Sequence, residues 1–311
     1  MKKCFFMVVL SLLISSMAFA NSDDDRVRII TDQLGRKVSI PVRPLRVIAL
    51  APSITEIVYA LEAEEKLVGA TMYSDYPEAA KRLPRVGSYI HLDLEKIVAL
   101  NPDLCIAVKD GNPKETVLRI EKFGIPVFAV NPNGLKTVIN AVKKLGNVLN
   151  ADKKASEITS EMRQRMDHVK AFTSTLAKRP GVFFQIGISP IVSTGSGTFL
   201  DELIELAGGR NLAKGPKPYP RFSTEQVLSM KPDVIIITSM ARAEIFETVK
   251  KDWESWPNLP AVKNNRVYVV ESDILDRPTP RLVEGLEMLT GVIHPGFKVT
   301  SGKPDQQRGL Q

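Results

Sequence analysis

The strongest constraint on this chain is a pattern that occurs twice. Residues 92–108 read Leu-Asp-Leu-Glu-Lys-Ile-Val-Ala-Leu-Asn-Pro-Asp-Leu-Cys-Ile-Ala-Val, and residues 222–238 read Phe-Ser-Thr-Glu-Gln-Val-Leu-Ser-Met-Lys-Pro-Asp-Val-Ile-Ile-Ile-Thr. At a constant offset of 130 residues, Glu95 falls on Glu225, Pro102 on Pro232 and Asp103 on Asp233. Each copy is a short helix pattern, a Pro-Asp break, and an apolar run suited to a buried parallel strand. Two copies this far apart describe two similar lobes; a solenoid needs several repeats in close succession.

A length of 311 residues accommodates two domains. The first twenty residues stand apart. Lys2 and Lys3 precede an apolar run from Cys4 to Met17, and Ala18-Phe19-Ala20 supplies a small-x-small cleavage pattern. This reads as a secretory signal peptide over residues 1–20, with a run too short for a comfortable transmembrane anchor. Its removal leaves Cys105 alone, so the mature chain makes no internal disulfide and relies on a full-sized core. Loss of the two lysines lowers the formal charge from +7 to +5, and the basic residues are scattered among acidic ones. Nucleic acid is therefore a poor partner.

Strand and helix patterns alternate along the chain. Residues 27–42, with Gly35-Arg36 at the turn, read as an N-terminal hairpin. Arg46–Leu50 and Lys66–Thr71 read as strands, with a helix between them from about Thr55 to Leu61 that carries Glu56 in its first turn. After the first repeat come a helix Lys114–Phe123, a strand Ile125–Val130 and a helix Leu135–Leu149. The alternation implies an α/β lobe with a mostly parallel sheet over 21–150. Residues 151–178 contain no Gly or Pro, and Ala155, Ile158, Met162, Met166, Val169, Phe172 and Leu176 recur in steps of three and four. That spacing predicts one long amphipathic helix, placed midway between the repeats as a spacer between lobes. A second α/β lobe follows over 179–297, with a strand Gly181–Ile188, helices Phe199–Leu206 and Ala243–Trp256, a strand Arg266–Val270 and a last helix Pro280–Leu289. The polar residues 298–311 read as a disordered tail.

Catalytic and metal signatures are missing from the sequence. His91, His168 and His294 are its only histidines and lack metal-ligand spacing; no phosphate loop, nucleophile elbow or dinucleotide fingerprint occurs. A binding protein is favoured over an enzyme, and no cofactor or resident metal is expected. The polar and aromatic residues gather instead in loops after strands, where open α/β sheets receive ligands. These are Tyr73-Ser-Asp-Tyr-Pro77, Tyr89, Tyr219 in its Pro-Tyr-Pro setting, and Asp273-Ile-Leu-Asp-Arg-Pro-Thr-Pro-Arg281. Tyrosines facing one another across two lobes can stack on a large flat ligand, and Arg277 suits carbonyl, carboxylate or phosphate groups.

On these residues the chain resembles the solute-binding proteins of ABC importers whose two lobes are joined by a single long helix: the cobalamin, ferric-siderophore and haem receptors. The resemblance runs from Arg46-Val-Ile-Ala-Leu-Ala-Pro-Ser-Ile-Thr-Glu56 to Thr279-Pro-Arg-Leu-Val-Glu284. Tyr-Ser-Asp-Tyr-Pro at 73–77, Phe-Gln-Ile-Gly-Ile-Ser-Pro at 184–190 and Asp-x-x-x-Arg-x-x-Pro-Arg at 273–281 look like the cobalamin-binding branch. It implies ligand contacts at Tyr73, Tyr89, Val192, Tyr219, Asp273 and Arg277. Tyr89 and Tyr219 stand where that branch has tryptophan, and Val192 where it has an aromatic residue, which removes a contact. Siderophore receptors commonly use arginines, and haem receptors an axial tyrosine or histidine, a role open to His91 or to a tyrosine. The resemblance further implies that Glu95 and Glu225, one per lobe, dock into arginine pockets of the permease dimer.

The expectation is thus an α/β protein of two lobes bridged by one rigid helix. It would be a periplasmic monomer that captures a corrinoid, cobalamin foremost, and delivers it to an ABC permease with its ATPase subunits. Small lobe movements are expected of a single helical bridge. The rivals are a ferric-siderophore or haem receptor and, from another class, a secreted α/β enzyme using Asp273, Asp276 and Arg277.

Overall fold

The two Pro-Asp repeats build the same piece of backbone in each half of the molecule. The computed structural model describes residues 26–238, 243–270 and 272–299. The expected signal segment at 1–20 lies outside the described residues, as does the expected tail beyond Val299.

The first lobe opens with an antiparallel hairpin of β1 (Val27–Thr31) and β2 (Lys37–Pro41). Its sheet follows from β3 (Val47–Ala49), α1 (Pro52–Ala60), β4 (Leu67–Ala70), α2 (Leu94–Ala99), β5 (Leu104–Val108), α3 (Lys114–Lys122), β6 (Val127–Val130) and α4 (Leu135–Val148). The four strands β3 to β6 lie parallel in the order β4-β3-β5-β6. Helix α1 begins three residues earlier than the sequence pattern suggests, because Pro52 occupies its first turn. Glu56 consequently sits in the second turn, facing inward, and not at the N-terminus where it would meet the helix dipole.

Helix α5 (Asp152–Thr173) has 22 residues, about 33 Å at ~1.5 Å per residue. It stops short of the expected 178. The Ser174 hydroxyl donates to Ala171 O and the Thr175 hydroxyl to Phe172 O, local bonds that compete with continued helix ahead of Pro180. The bridge is braced from both lobes. It folds back on α4, where Gly146 admits the Ala155 side chain, and on the far side Arg165 makes two bonds, of 3.1 and 2.6 Å, to the buried Glu287.

The second lobe comprises β7 (Gly181–Gly187), β8 (Ile191–Ser193), α6 (Phe199–Leu206), β9 (Arg210–Asn211), β10 (Arg221–Phe222), α7 (Thr224–Met230), β11 (Val234–Ile237), α8 (Ala243–Glu254), α9 (Pro260–Lys263), β12 (Val267–Val269), α10 (Ser272–Leu275) and α11 (Leu282–Ile293). Its sheet is mixed: β9, β7, β11 and β12 pair in parallel, while β8 and β10 add an antiparallel margin. Burial follows the layers. One apolar core runs from the first lobe through α4 and α5 into α6 and α11, and each lobe has a second cluster on its outer face.

The repeat has a physical explanation. Asp103 Oδ2 accepts from the amides of Leu45 (2.6 Å) and Arg46 (3.1 Å), just ahead of β3. Asp233 Oδ2 accepts from the amide of Gly181 (2.7 Å), at the start of β7. In return the Asp103 amide donates to Arg46 O and the Asp233 amide to Gly181 O. Each Pro-Asp aspartate therefore pins the first strand of its lobe's parallel sheet to the strand it introduces. Asn101 and Lys231, both left-handed, end the preceding helices α2 and α7.

Candidate functional site

Every strand of the first sheet points its C-terminal end at one opening between the lobes. Ala51, Pro52 and Ser53 follow β3, Tyr73 and Asp75 follow β4, Val108 ends β5 and Asp110 follows it, and Asn131 and Asn133 follow β6. The crevice outside the carboxyl ends, where strand order reverses about β3, is the expected ligand position for an open α/β sheet. Opposite stand Thr198 and Phe199 at the start of α6, Tyr219 in the loop before β10, and Asp273, Asp276 and Arg277 after β12. The enclosed volume is about 910 Å³, near the top of the range of roughly 300–1,000 Å³ for small-molecule sites.

Buried polar groups hold these loops in place. Asn112 donates to Leu50 O (2.8 Å) and Tyr89 O (2.7 Å) and accepts from the Val108 amide (2.8 Å), tying the ends of β3 and β5 to the Tyr89 loop. The Tyr89 ring lies over Gly111, where a Cβ would collide with it. Ser74 turns inward to Thr55 (2.9 Å) and Thr71 (3.1 Å), so its neighbours Tyr73 and Asp75 face the cleft. At β6, the hairpin residue Gln33 accepts from the Asn131 amide (2.7 Å).

Of the residues expected to contact ligand, Tyr73, Tyr89, Tyr219, Asp273 and Arg277 all line the cleft. Val192 does not. It lies in the antiparallel margin, paired with Arg221 and Gly187. His91 is exposed and stands outside the lining, although its neighbour Ile90 belongs to it. His168, on α5, packs on Phe297. Asp110, Asn131, Asn133 and Phe199 line the cleft without having been expected there. The first three obey the same rule of polar residues after apolar strands that locates the tyrosine loops.

Arg277 is less free than a ligand-binding arginine would be. It contacts Glu56 at 2.9 Å, Asp75 at 2.7 Å and Asp273 at 3.4 Å. Burial works to lower its pKa, and the bonds to Asp75 and Glu56 with the field of Asp273 outweigh that, leaving it above the ordinary value. Asp75 is correspondingly held below the usual carboxylate range, its own burial being outweighed by Arg277. At Asp276, burial and the charge of Asp273 push the carboxyl up to about 7 against the partial opposition of Arg277. Burial also raises the Tyr219 hydroxyl, with Asp110 and Asp276 adding to it, so charge from both lobes bears on this side chain.

Among the described residues lining the cleft, four carboxylates (Asp75, Asp110, Asp273 and Asp276) surround one cation, and that cation is already paired. The described residues hold no cluster of metal-ligating side chains. The cleft thus offers tyrosine faces, amides and acceptor oxygens.

Residues 47–274 match the family described as periplasmic binding protein. The chain belongs to that family. Its members bind solutes for transport and are not enzymes, which removes the reading of Asp273, Asp276 and Arg277 as a catalytic set. This binding protein is 33% identical over 243 residues to a vitamin B12-binding protein of Vibrio parahaemolyticus, covering 78% of this chain and 86% of the relative. The crystal structure of BtuF, the periplasmic vitamin B12-binding protein of Vibrio cholerae, is similar with a TM-score of 0.72 and 30% identity, over 80% of this chain and 96% of the other. A periplasmic heme-binding protein of Pseudomonas aeruginosa gives a TM-score of 0.73 and 28% identity, over 83% and 95%. The two-lobed α/β architecture is shared with these structures, and the family assignment indicates an extracytoplasmic location.

Glu95 and Glu225 are exposed near the N-termini of α2 and α7, at matching positions on the two lobes. The residues around them alternate between exposed and buried in the same sequence over 94–100 and 224–230. Asp93 caps α2 and Ser223, in a capping box with Gln226, caps α7, so both glutamates stand on fixed helix ends.

Proposed function

We propose that this binding protein captures cobalamin in the cleft between its lobes and delivers it to an ABC permease. The observation that carries the ligand choice is the charge of the cleft: four aspartates against one arginine, which Asp75, Asp273 and the buried Glu56 already occupy. A cleft of one sign repels ligands of that sign. Haem brings two propionates and ferric siderophores are commonly anionic, so each would bring unpaired negative charge beside Asp110 and Asp273. A corrin carries neutral amides around its rim, whose N–H groups can donate to those carboxylates. Its face can stack on Tyr73, Tyr89 or Tyr219, of which Tyr73 and Tyr219 are each 55% exposed and available for cover. The vitamin B12-binding relatives support the same choice.

Binding would proceed by aromatic cover and amide hydrogen bonds, without covalent chemistry. Glu95 and Glu225 would then engage arginines on the two permease subunits, consistent with their exposure and matching mounts. The N-terminal segment 1–20 would direct export and be cleaved, placing a monomer in the periplasm.

The test is titration of the purified mature protein with cyanocobalamin, haemin and a ferric siderophore, followed by absorbance and calorimetry. Saturable binding of cyanocobalamin with weak or no haemin binding is expected. Tight binding of haemin or the ferric chelate without binding of any corrinoid would overturn the ligand assignment.

A further inference from the structure

Glu56 is a buried carboxylate whose counter-charges come from the other lobe. It sits on α1 among the buried residues Ile54, Ile57 and Val58, with its side chain only 2% exposed. Both of its cationic partners, Arg277 at 2.9 Å and Arg281 at 3.2 Å, belong to the segment between α10 and α11 of the second lobe. The same segment is gripped twice more from the first lobe. Asp75 takes Arg277, and the Arg281 guanidinium lies 3.7 Å from the centre of the Tyr76 ring. At another point of the junction, Glu202 of α6 accepts from the Leu135 amide at the N-terminus of α4 (2.9 Å). These contacts lie between the lobes in addition to the α5 bridge.

We propose that Glu56 is a positioning residue for ligand binding: through Arg277 and Arg281 it clasps the lobes together and fixes the width of the cleft. Glu56 is not part of the cleft wall, whereas Arg277 and Asp75 are. Its effect on ligand must therefore pass through the arginine. Separating the lobes would leave a carboxylate embedded in apolar surroundings without its counter-charges, a state far costlier than an exposed broken ion pair. An ordinary surface bridge would not have this property. The clasp also explains why Arg277, the residue best suited to an anionic ligand, is committed elsewhere: its task is to hold Glu56 and Asp75. The clasp acts whichever ligand the cleft receives.

The decisive variant is Glu56→Gln, which keeps the side-chain size and removes the charge. Nitroxide labels on cysteines introduced at Glu115 and Lys251 would report the distance between lobes; native Cys105 is buried and would not compete. Glu56→Gln should broaden that distance distribution in the unliganded protein and speed cyanocobalamin release about tenfold, with a smaller change in the association rate. Glu56→Asp, which restores the charge, should recover part of both effects; a merely structural role would not follow charge in this way. An unaltered distance distribution in folded Glu56→Gln protein would overturn the proposal. Should that variant fail to fold, Arg281→Gln removes one of the two partner cations; the same broadening is expected of it, and an unaltered distribution there would overturn the proposal equally. The distance measurement uses no ligand. A wild-type chain that binds no cyanocobalamin would overturn the ligand reading and leave the clasp judged on distance alone.

Discussion

Replacing Asp276 by asparagine should stabilise the unliganded protein, and by more at alkaline than at acid pH. Burial, with Asp273 alongside, pushes this carboxyl from 3.8 to about 7, while Arg277 offsets only part of the effect. A raised native pKa means that the folded protein holds a proton which the unfolded chain has already released. Below 3.8 both states are protonated and the carboxyl costs nothing. As pH rises from there to about 7, ionisation favours the unfolded chain and native stability falls; above about 7 both states are ionised and the cost is constant.

The size of the effect follows from the same displacement. At ~1.4 kcal/mol per pH unit, it sets a ceiling of roughly 4 kcal/mol. The cleft is open to water on one side, which brings the expected value to on the order of 2 kcal/mol. The assay is urea unfolding of wild type and Asp276→Asn at about pH 4, 5.5, 7 and 8.5. The advantage of asparagine should grow from near zero to its full value across that series and then level. A constant difference, or a wild type that gains on the variant as pH rises, would refute the reasoning. The second result would mean that Arg277 stabilises an ionised Asp276 more than burial penalises it.

Three further outcomes follow from the site. Tyr219→Ala should weaken cyanocobalamin binding by ~1–2 kcal/mol, roughly five- to thirtyfold by calorimetry, because it removes an exposed stacking face at the mouth of the cleft. Arg277→Ala should lower unfolding free energy by on the order of 3 kcal/mol, since it strips a counter-charge from buried Glu56; a variant as stable as wild type would show that Arg281 alone suffices. Glu95→Ala combined with Glu225→Ala should leave ligand affinity unchanged and abolish uptake in cells that rely on this protein, whereas a loss of affinity would remove the docking role.

Local chemistry made much of the fold legible, and partnerships across distant sequence did not. The parallel strands β3, β5, β6, β7 and β11 are short apolar runs bounded by Pro, Asp or Gly, and that signal is carried by adjacent residues. Strands β8, β9 and β10, of two or three residues each, are too short to carry any periodicity; β8 and β9 form on β7, and β10 forms on β8. Tyr73, Tyr89, Tyr219, Asp273 and Arg277 could be placed at the cleft from sequence because they lie in loops after strands, whereas Asp110, Asn131, Asn133 and Phe199 were not picked out. The pairing of cleft residues was not legible. Arg277 reads from sequence as a free cation, and its buried partner Glu56 lies 221 residues away. Glu56 did carry one usable signal, a charge on an otherwise apolar helix face. Val192 is absent from the cleft lining, and correspondence by position does not reveal that its strand pairs along the antiparallel sheet margin.

The two exposed glutamates and the buried one belong to a single mechanical arrangement. Glu95 and Glu225 stand on capped helices, each joined by a Pro-Asp turn to a strand of its own lobe's sheet, so each carboxylate moves with its lobe as a body. The distance between them is then set by whatever sets the distance between lobes: the α5 bridge, the shared apolar core and the Glu56 clasp. A permease that binds both glutamates at a different spacing would have to work against the clasp, and the energy for widening the cleft would come from its two docking contacts. Ligand release and clasp opening become one event on this view. It follows that Glu56→Gln, by lowering the resistance, should reduce the dependence of release on docking. Ligand should leave the variant rapidly in free solution, and the permease should accelerate its release by a smaller factor than it does for wild type. Equal acceleration in both proteins would separate the clasp from delivery and confine its role to holding the ligand.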